Sequence, residues 1–252
     1  MKVIEGKRVT YDSDKEFYAH QARRSKPYDN DRLVKGRIAE ALRFCMLGGK
    51  LNYTDPPVER ADPNLPPDVR ILDVGCGDGW SLTYLKKGCT DGFSLFPPKK
   101  SFSNACGIEL IHKVVEYAQK KGRNVIQGDI RHLVVEENAF DLIYTRHSLE
   151  HLDDPLQALK NVAKMLKPGG TLFAIVPRED KDINPQQSVH SYQFRSDNEL
   201  THLVTTAGLA ITQSFCRNEY MYRKRKYWYK LSARLRREGP ELWVFATKFG
   251  EE

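Results

Sequence analysis

The sequence predicts an α/β protein with a doubly wound, mostly parallel sheet, and three observations support this prediction. From residue 70 onward, short apolar stretches alternate with amphipathic helical stretches, and strands separated by helices form parallel sheets through right-handed crossovers. The first apolar stretch ends in a turn with three glycines, a feature of sheets that bind ligands at strand ends. At 252 residues, one domain of this kind with additions can bury a full core.

Residues 1–68 are expected to form a helical extension and a linker ahead of this domain, which covers 69–252. In "NDRLVKGRIAEALRFCMLGG", apolar side chains recur at helical spacing, at Val34, Ile38, Ala41 and Cys45. The next stretch, "NYTDPPVERADPNLPPDV", has five prolines in eighteen residues, which is typical of a linker or a packed loop.

Seven strands are predicted, in the order "RILDV", "ACGIEL", "NVIQG", "FDLIYT", "TLFAIV", "LAITQSF" and "ELWVFATKF". The first five are separated by helical stretches, which favours parallel pairing. The last two have no helical stripe between them, so we expect them to form an antiparallel pair at one edge of the sheet, with the last strand antiparallel.

Three helices between these strands have clear end signals. The stretch 110–122 ends at Gly122, and the stretch 155–167 begins after Asp154 with Pro155 and ends in "KPGG". A third helix begins with a capping box, in which Ser196 and Glu199 satisfy backbone groups of the first turn, and it closes at Gly208.

The glycine turn "VGCGDGW" predicts which ligand the sheet binds. Trp80 stands where a dinucleotide-binding turn has its third glycine, and no Gly-Lys-Ser/Thr sequence of a phosphate-binding loop follows. Asp73 and Asp78 flank the turn, and two carboxylates would repel a pyrophosphate. A positively charged adenosine derivative without phosphate fits better, and S-adenosylmethionine has that form.

These residues resemble those of the class I S-adenosylmethionine-dependent methyltransferases, over about residues 70–215. "ILDVGCGDG" is similar to the family's first motif, and "GIEL", "QGDI", "FDLIYTRHSLEHLDDP" and "MLKPGGTLFAIVP" follow in the family's order. "HSYQFRSDNELTHLVTTAGL" resembles the segment after the fifth strand in the subgroup that acts on small molecules and glycans. The resemblance implies a Rossmann-like methyltransferase fold with seven strands.

The resemblance also implies roles for particular residues in cofactor binding. Glu109 would bond the ribose hydroxyls, Asp129 the adenine amino group, and Ile130 would lie against the ring. Arg146 would lie near the methionine end of the cofactor. The full set of expected cofactor contacts is Asp73, Gly75, Cys76, Gly77, Glu109, Leu110, Asp129, Ile130 and Arg146. Glu109 lies 34 residues after Gly75, farther than in a compact unit, because residues 88–104 form a predicted insertion.

Three histidines are candidate catalytic bases for an acceptor that carries a proton. His147 and His151 follow the fourth strand and His190 follows the fifth, and histidine suits proton transfer near neutral pH. The competing interpretation for each is a hydrogen-bonded loop histidine.

No metal site is expected from the sequence. "HSLEH" matches a zinc-protease string but lies between a strand and a helix start, whereas that motif needs a continuous helix. Residues 145–148 also lack the carboxylates of magnesium-dependent relatives. We therefore expect metal-independent chemistry.

The net charge of +7 comes from one segment, residues 220–237, which holds eight Lys or Arg, five aromatic residues and no acid. Basic residues track phosphates and aromatic rings stack on bases, so RNA such as tRNA is an alternative acceptor. A small-molecule or glycan acceptor is the favoured one, with transfer to oxygen or nitrogen beneath a lid built from the N-terminal helix and the 178–195 loop. A noncatalytic scaffold that only binds the cofactor is the alternative from another class.

The remaining expectations concern location and assembly. Five scattered cysteines without a CxxC pair indicate reduced thiols and a cytoplasmic protein. The charged start "MKVIEGKRVTYDSDKEF" lacks the apolar region of a secretory signal, and no apolar run approaches the ~20 residues of a membrane span. The sequence leaves the oligomeric state open.

Overall fold

The computed structural model describes residues 68–86, 102–134, 136–179, 190–217 and 241–249, together with four helical residues near the N-terminus, Ile38, Ala41, Leu42 and Cys45. Of these four, the last three are buried. The basic segment 220–237 and most of the predicted insertion lie outside the described residues, as do residues 180–189 of the predicted lid. None of the helices that the structure describes is long and apolar enough to span a membrane.

Seven strands form one mixed sheet with the order β3-β2-β1-β4-β5-β7-β6, which confirms the predicted fold class. The strands are β1 Ile71–Val74, β2 Ala105–Glu109, β3 Val125–Gln127, β4 Phe140–Arg146, β5 Leu166–Pro177, β6 Leu209–Cys216 and β7 Glu241–Lys248. The helices are α1 Trp80–Lys86, α2 His112–Lys120, α3 Pro155–Met165 and α4 Asp197–Thr206.

The chain divides into two compact units. The first unit comprises Gly6–Asp129 and Phe140–Leu142; the second comprises Met1–Glu5, Ile130–Ala139 and Ile143–Glu252. In the first unit β1 pairs with β2 and β2 with β3, both in parallel. All four residues of β1 are buried, as expected for a parallel strand covered on both faces.

In the second unit, β7 runs antiparallel to β5 on one side and to β6 on the other, so the expected antiparallel last strand is confirmed. Phe173 of β5 is fully buried, and its ring stacks on Phe245 at 4.2 Å and meets Trp243 at 5.4 Å between centroids. Large aromatic side chains with this geometry contribute strongly to a core. They fix the register Phe173↔Phe245 between β5 and β7.

The helix starts agree with the sequence signals, whereas one helix end does not. Asp154 Oδ1 accepts the Gln157 N–H at 2.9 Å, and Ser196 Oγ accepts the Glu199 N–H at 3.3 Å. The helix predicted over 155–167 ends at Met165, and Leu166 already begins β5 with ψ 136°. The reason is local: Lys167 precedes Pro168, and a residue before proline is driven away from the helical conformation.

Candidate active site

The glycine turn of the first unit depends on backbone conformations that favour glycine. Gly75, Gly77 and Gly79 have φ values of 71°, 56° and 72°, in the left-handed region where other residues are strained. The Gly75 and Cys76 N–H groups both donate to the carbonyl of Ile108, at 2.9 and 3.1 Å. The turn after β1 is therefore anchored on the end of β2.

Glu109 ties the same two elements together through its side chain. Its Oε2 accepts the Gly77 N–H at 3.0 Å and its Oε1 accepts the Ile111 N–H at 3.0 Å. Burial raises the pKa of Glu109, although these backbone hydrogen bonds act in the opposite direction. Each carboxylate oxygen has a second lone pair, so the side chain can still accept hydroxyl hydrogens. This fits the ribose contact that the resemblance implies.

The two acids of the turn have different surroundings. Asp73 is buried, and its Oδ2 accepts the hydroxyl hydrogen of Ser81 at the start of α1. Asp78 is also buried, but its Oδ2 lies 3.5 Å from the Arg123 guanidinium, which also donates to the Asp78 carbonyl at 2.6 Å. The charge of Asp78 is thus balanced within the protein, a pairing that the sequence pattern did not predict.

The other expected cofactor residues lie at the ends of β2 and β3 or beyond them. Glu109 pairs in register with Gln127, so Asp129 follows two residues after the partner of Glu109. The carbonyl of Leu110 accepts from the Gln127 side chain at 3.4 Å. Ile130 is buried in the second unit, where its carbonyl accepts from Asn161 at 2.8 Å.

A second group of polar side chains lies in the second unit, around Glu241 at the start of β7. Its Oε1 is 2.9 Å from Arg146 Nη2 and 2.8 Å from His147 Nε2. Its Oε2 accepts from Arg217 at 3.2 Å and from the Trp243 indole at 3.1 Å. The described contacts of Arg146 are therefore with a carboxylate, whereas its expected role was at the cofactor.

Charge balance in this group changes two pKa values. Burial by itself raises the pKa of Glu241, but the His147 hydrogen bond and the charges of Arg146 and Arg217 outweigh it and hold the pKa below its usual range. Desolvation lowers the pKa of His147, against the opposing effect of its hydrogen bond with Glu241. His147 also has φ 53°, a strained value for a residue with a side chain. The surrounding contacts hold it in this conformation.

The three candidate histidines meet around a buried carboxyl group, that of Glu150. Glu150 and His151 lie together in a 3-10 turn, Leu149–His151. The His151 and His190 rings meet edge to face at 5.0 Å. His147 Nδ1 lies 3.7 Å from Glu150 Oε1. Burial raises the pKa of Glu150 to about 8.

A further acid, Glu179, completes this cluster. Its Oε1 hydrogen-bonds His190 Nδ1, and its backbone N–H donates to the carbonyl of Phe194 at 2.8 Å. Sequence reasoning placed the three histidines after β4 and β5 but missed Glu179 and Glu241. Glu241 begins β7 and Glu179 lies two residues after the end of β5, and an acid close to a strand end was the only sequence signal for either of them.

Comparison with known proteins agrees with the fold and with the glycine turn. Residues 72–174 match a family model described as "Methyltransferase domain". The malonyl-[acyl-carrier protein] O-methyltransferase of Hahella chejuensis is 28% identical over 150 residues, which cover 58% of this chain and 49% of that protein. The ubiquinone biosynthesis O-methyltransferase of Xanthomonas campestris pv. campestris is 33% identical over 114 residues, covering 42% of each chain. The chain thus spans about half the length of these curated relatives.

Two solved structures share the fold. The chain solved in complex with the Trm112 methyltransferase activator of Haloferax volcanii has a TM-score of 0.61 and 19% identity, covering 94% of this chain and 98% of that one. An S-adenosylmethionine-dependent methyltransferase of Mesorhizobium loti has a TM-score of 0.54 and 20% identity, covering 73% and 94%. At this level of identity the likeness concerns the fold.

The fold, the glycine turn and the match over residues 72–174 support S-adenosylmethionine as the cofactor of this α/β domain. Residues 72–174 are similar to the methyltransferase domain family, and together with the fold this similarity supports a class I S-adenosylmethionine-dependent methyltransferase.

Proposed function

We propose that the protein transfers a methyl group from S-adenosylmethionine to an oxygen of a small-molecule or glycan-type acceptor, with nitrogen as the alternative atom. The main observation in support of the proposal is the glycine turn, in which the Gly77 N–H donates a hydrogen bond to the Glu109 side chain. The curated relatives support oxygen as the acceptor atom, since both are named O-methyltransferases.

Methyl transfer depends mainly on alignment of the acceptor atom with the methyl group and the sulfur of the cofactor. The sulfonium of the bound cofactor supplies an already activated methyl group, which is displaced in line by the acceptor. Holding the reactants in line can lower the barrier by ~7–11 kcal/mol, and a base that takes the acceptor proton adds roughly 10²–10⁴-fold. We propose that His147, His151 and His190 are the candidates for that base. This is supported by the lowered pKa of His147, which favours its neutral, proton-accepting form.

Calorimetric titration with S-adenosylhomocysteine tests cofactor binding. In Glu109→Gln, one of the backbone N–H groups now bonded to the carboxylate faces an amide NH₂ instead of an oxygen, and an unsatisfied buried group costs about 1–3 kcal/mol. We therefore expect binding by wild type and binding weaker by about tenfold or more in Glu109→Gln. Glu116→Gln, on a half-exposed side chain of α2, is the matched control and should bind like wild type. Absence of binding by wild type at millimolar ligand would overturn the cofactor assignment, whereas binding without methyl transfer to any acceptor would favour the noncatalytic scaffold.

Transfer of a radioactive methyl group distinguishes the acceptors. Compounds with phenolic, carboxyl and sugar hydroxyl groups are compared with total tRNA. The proposal expects label in one class of small compounds and none in tRNA. RNA remains the alternative because of the basic segment 220–237. Label in tRNA that is lost when residues 223–226 are made neutral would overturn the small-molecule assignment.

A further inference from the structure

The Glu150 side chain is an unusual group in the second unit. It is 1% exposed, and within the part of the chain that the structure describes, neither carboxylate oxygen has a hydrogen-bond partner. Buried carboxylates are normally hydrogen-bonded or paired with a cation, because an isolated buried charge is very costly. Within the described residues this carboxyl group therefore lacks hydrogen bonds, and His147 Nδ1 lies 3.7 Å from its Oε1.

The groups nearest to this carboxylate are ligands of transition metals. Ligand atoms of Glu150, His151 and His190 all lie within 4.8 Å of one another. His147 Nδ1 lies 3.7 Å from Glu150 Oε1. Two ligands at 2.0–2.2 Å from one tetrahedral ion are about 3.3–3.6 Å apart. The separation between His147 and Glu150 is close to this value, whereas ligand atoms 4.8 Å apart would have to approach each other by roughly 1 Å.

Two of the histidines are also hydrogen-bonded to carboxylates, which supports a metal site at this place. Glu179 is hydrogen-bonded to Nδ1 of His190, and Glu241 is hydrogen-bonded to Nε2 of His147 at 2.8 Å. Histidines that bind metals usually have their second ring nitrogen held by a carboxylate, which fixes the ring and its tautomer. In this arrangement His190 would coordinate through Nε2 and His147 through Nδ1.

We propose that Glu150, His151 and His190 bind one divalent first-row transition ion of the Zn²⁺ type, with His147 as a fourth ligand. A histidine that binds the ion does not also act as the base, so for each histidine the two roles are alternatives. Imidazole nitrogens with one carboxylate select such ions over Mg²⁺ and Ca²⁺, which prefer all-oxygen sites. The proposal replaces the metal independence expected from the sequence. The zinc-protease motif needs both histidines of "HSLEH" on one helix, whereas this site uses Glu150 and His151 of the 3-10 turn together with His190 from beyond β5.

Metal binding itself does not depend on the proposed methyl transfer, so it is tested without cofactor. The full chain is stripped with a chelator and titrated with Zn²⁺ by calorimetry and with Co²⁺ by visible absorption, since bound Co²⁺ shows ligand-field bands. We expect one ion per chain in wild type. Glu150→Gln and His190→Gln should each weaken binding at least tenfold and lose the bands. Glu179→Gln, which removes only the support of a ligand, should weaken it by roughly 10–100-fold.

Matched controls are Glu116→Gln and His202→Gln, whose side chains lie on the surface of α2 and α4. These variants should bind the ion like wild type. Circular dichroism and S-adenosylhomocysteine titration of each stripped variant show that the chain is folded and that the cofactor site is intact. Wild-type-like Co²⁺ spectra in both Glu150→Gln and His190→Gln, or no ligand-field bands in wild type, would overturn the proposal. Either result would leave the methyltransferase assignment standing.

Discussion

Replacing Gly107 by alanine is expected to displace the glycine turn, because β2 and the turn approach each other too closely for a side chain. A Cβ at residue 107 would lie 2.4 Å from Cys76 Sγ and 2.7 Å from Cys76 Cβ, whereas nonbonded carbon atoms sit about 3.5–4.0 Å apart. The sulfur could rotate away, but the Cys76 Cβ moves only with its backbone. The turn or the strand must therefore shift by about 1 Å.

The expected cost follows from this overlap. Inserting one methyl group into a packed site typically costs about 1–3 kcal/mol, which for a chain of this size lowers Tm by roughly 2–12 °C. The N–H groups of Gly75 and Cys76 bond the carbonyl of Ile108, next to Gly107, so the displacement reaches the turn. Cofactor affinity should fall by about tenfold or more, equivalent to ~1.4 kcal/mol.

Thermal unfolding and S-adenosylhomocysteine calorimetry measure these two effects. Gly208→Ala is the control: its Cβ would meet nothing within 4 Å, but its φ of 92° is strained for alanine, so Tm should fall while affinity stays unchanged. Cys76→Gly combined with Gly107→Ala removes both overlapping atoms, and the double variant should be more stable than the sum of the single effects. Unchanged Tm and affinity in Gly107→Ala, or simple additivity in the double variant, would refute the reasoning.

Three other perturbations address the acids, thiols and histidines. Asp73→Asn should weaken binding of S-adenosylmethionine by about tenfold, as measured by calorimetry. The substitution removes the negative charge of the buried carboxylate that accepts from Ser81 and that balances the positive charge of the cofactor. Burial raises the pKa of Cys106 to about 11, so at pH 8 its thiolate fraction is roughly 100-fold below that of an ordinary thiol. Alkylation of the native protein should therefore leave Cys106 unlabelled, which peptide mass spectrometry measures. His190→Ala should lower kcat by about tenfold or more while S-adenosylhomocysteine affinity changes less than about twofold, as steady-state kinetics and calorimetry will show.

Each of these three experiments has an internal comparison. Asp68→Asn, at an exposed position, should bind the cofactor like wild type, and equal binding by Asp73→Asn would contradict the charge argument. Cys216, which is partly exposed, should be labelled in the same digest, so similar labelling of Cys106 would show that its burial is wrong. For the histidine, turnover of His190→Ala equal to that of His202→Ala would exclude His190 as the base.

Much of the fold was predictable because it depends on neighbours along the chain. The apolar run before the glycine turn became β1, and all four of its residues are buried. The cap at Asp154 forms the expected hydrogen bond, since the donor is only three residues away. The helix α3 ends two residues before its predicted end at residue 167, because Pro168 already disfavours the helical conformation at Lys167.

The candidate site was predictable only in part. The glycine turn and the acid at the end of β2 were visible as a motif, but the hydrogen bond from Gly77 to Glu109 joins residues 32 positions apart. The pairing of Asp78 with Arg123 spans 45 positions, and that of His147 with Glu241 spans 94. No local pattern encodes such pairs.

By itself the sequence determined which residues form strands, helices and the glycine turn, since spacing, capping and backbone preference act within a few residues. The tertiary structure alone decided the chemical state of the polar groups. Glu150 is a buried carboxyl with a raised pKa, and Glu241 is a buried carboxylate with a lowered one. The two side chains are identical in chemistry. They differ because Glu241 is hydrogen-bonded to Arg146, His147 and Arg217, which folding brings to it from distant parts of the chain, whereas the Glu150 carboxyl has no hydrogen bond within the described residues.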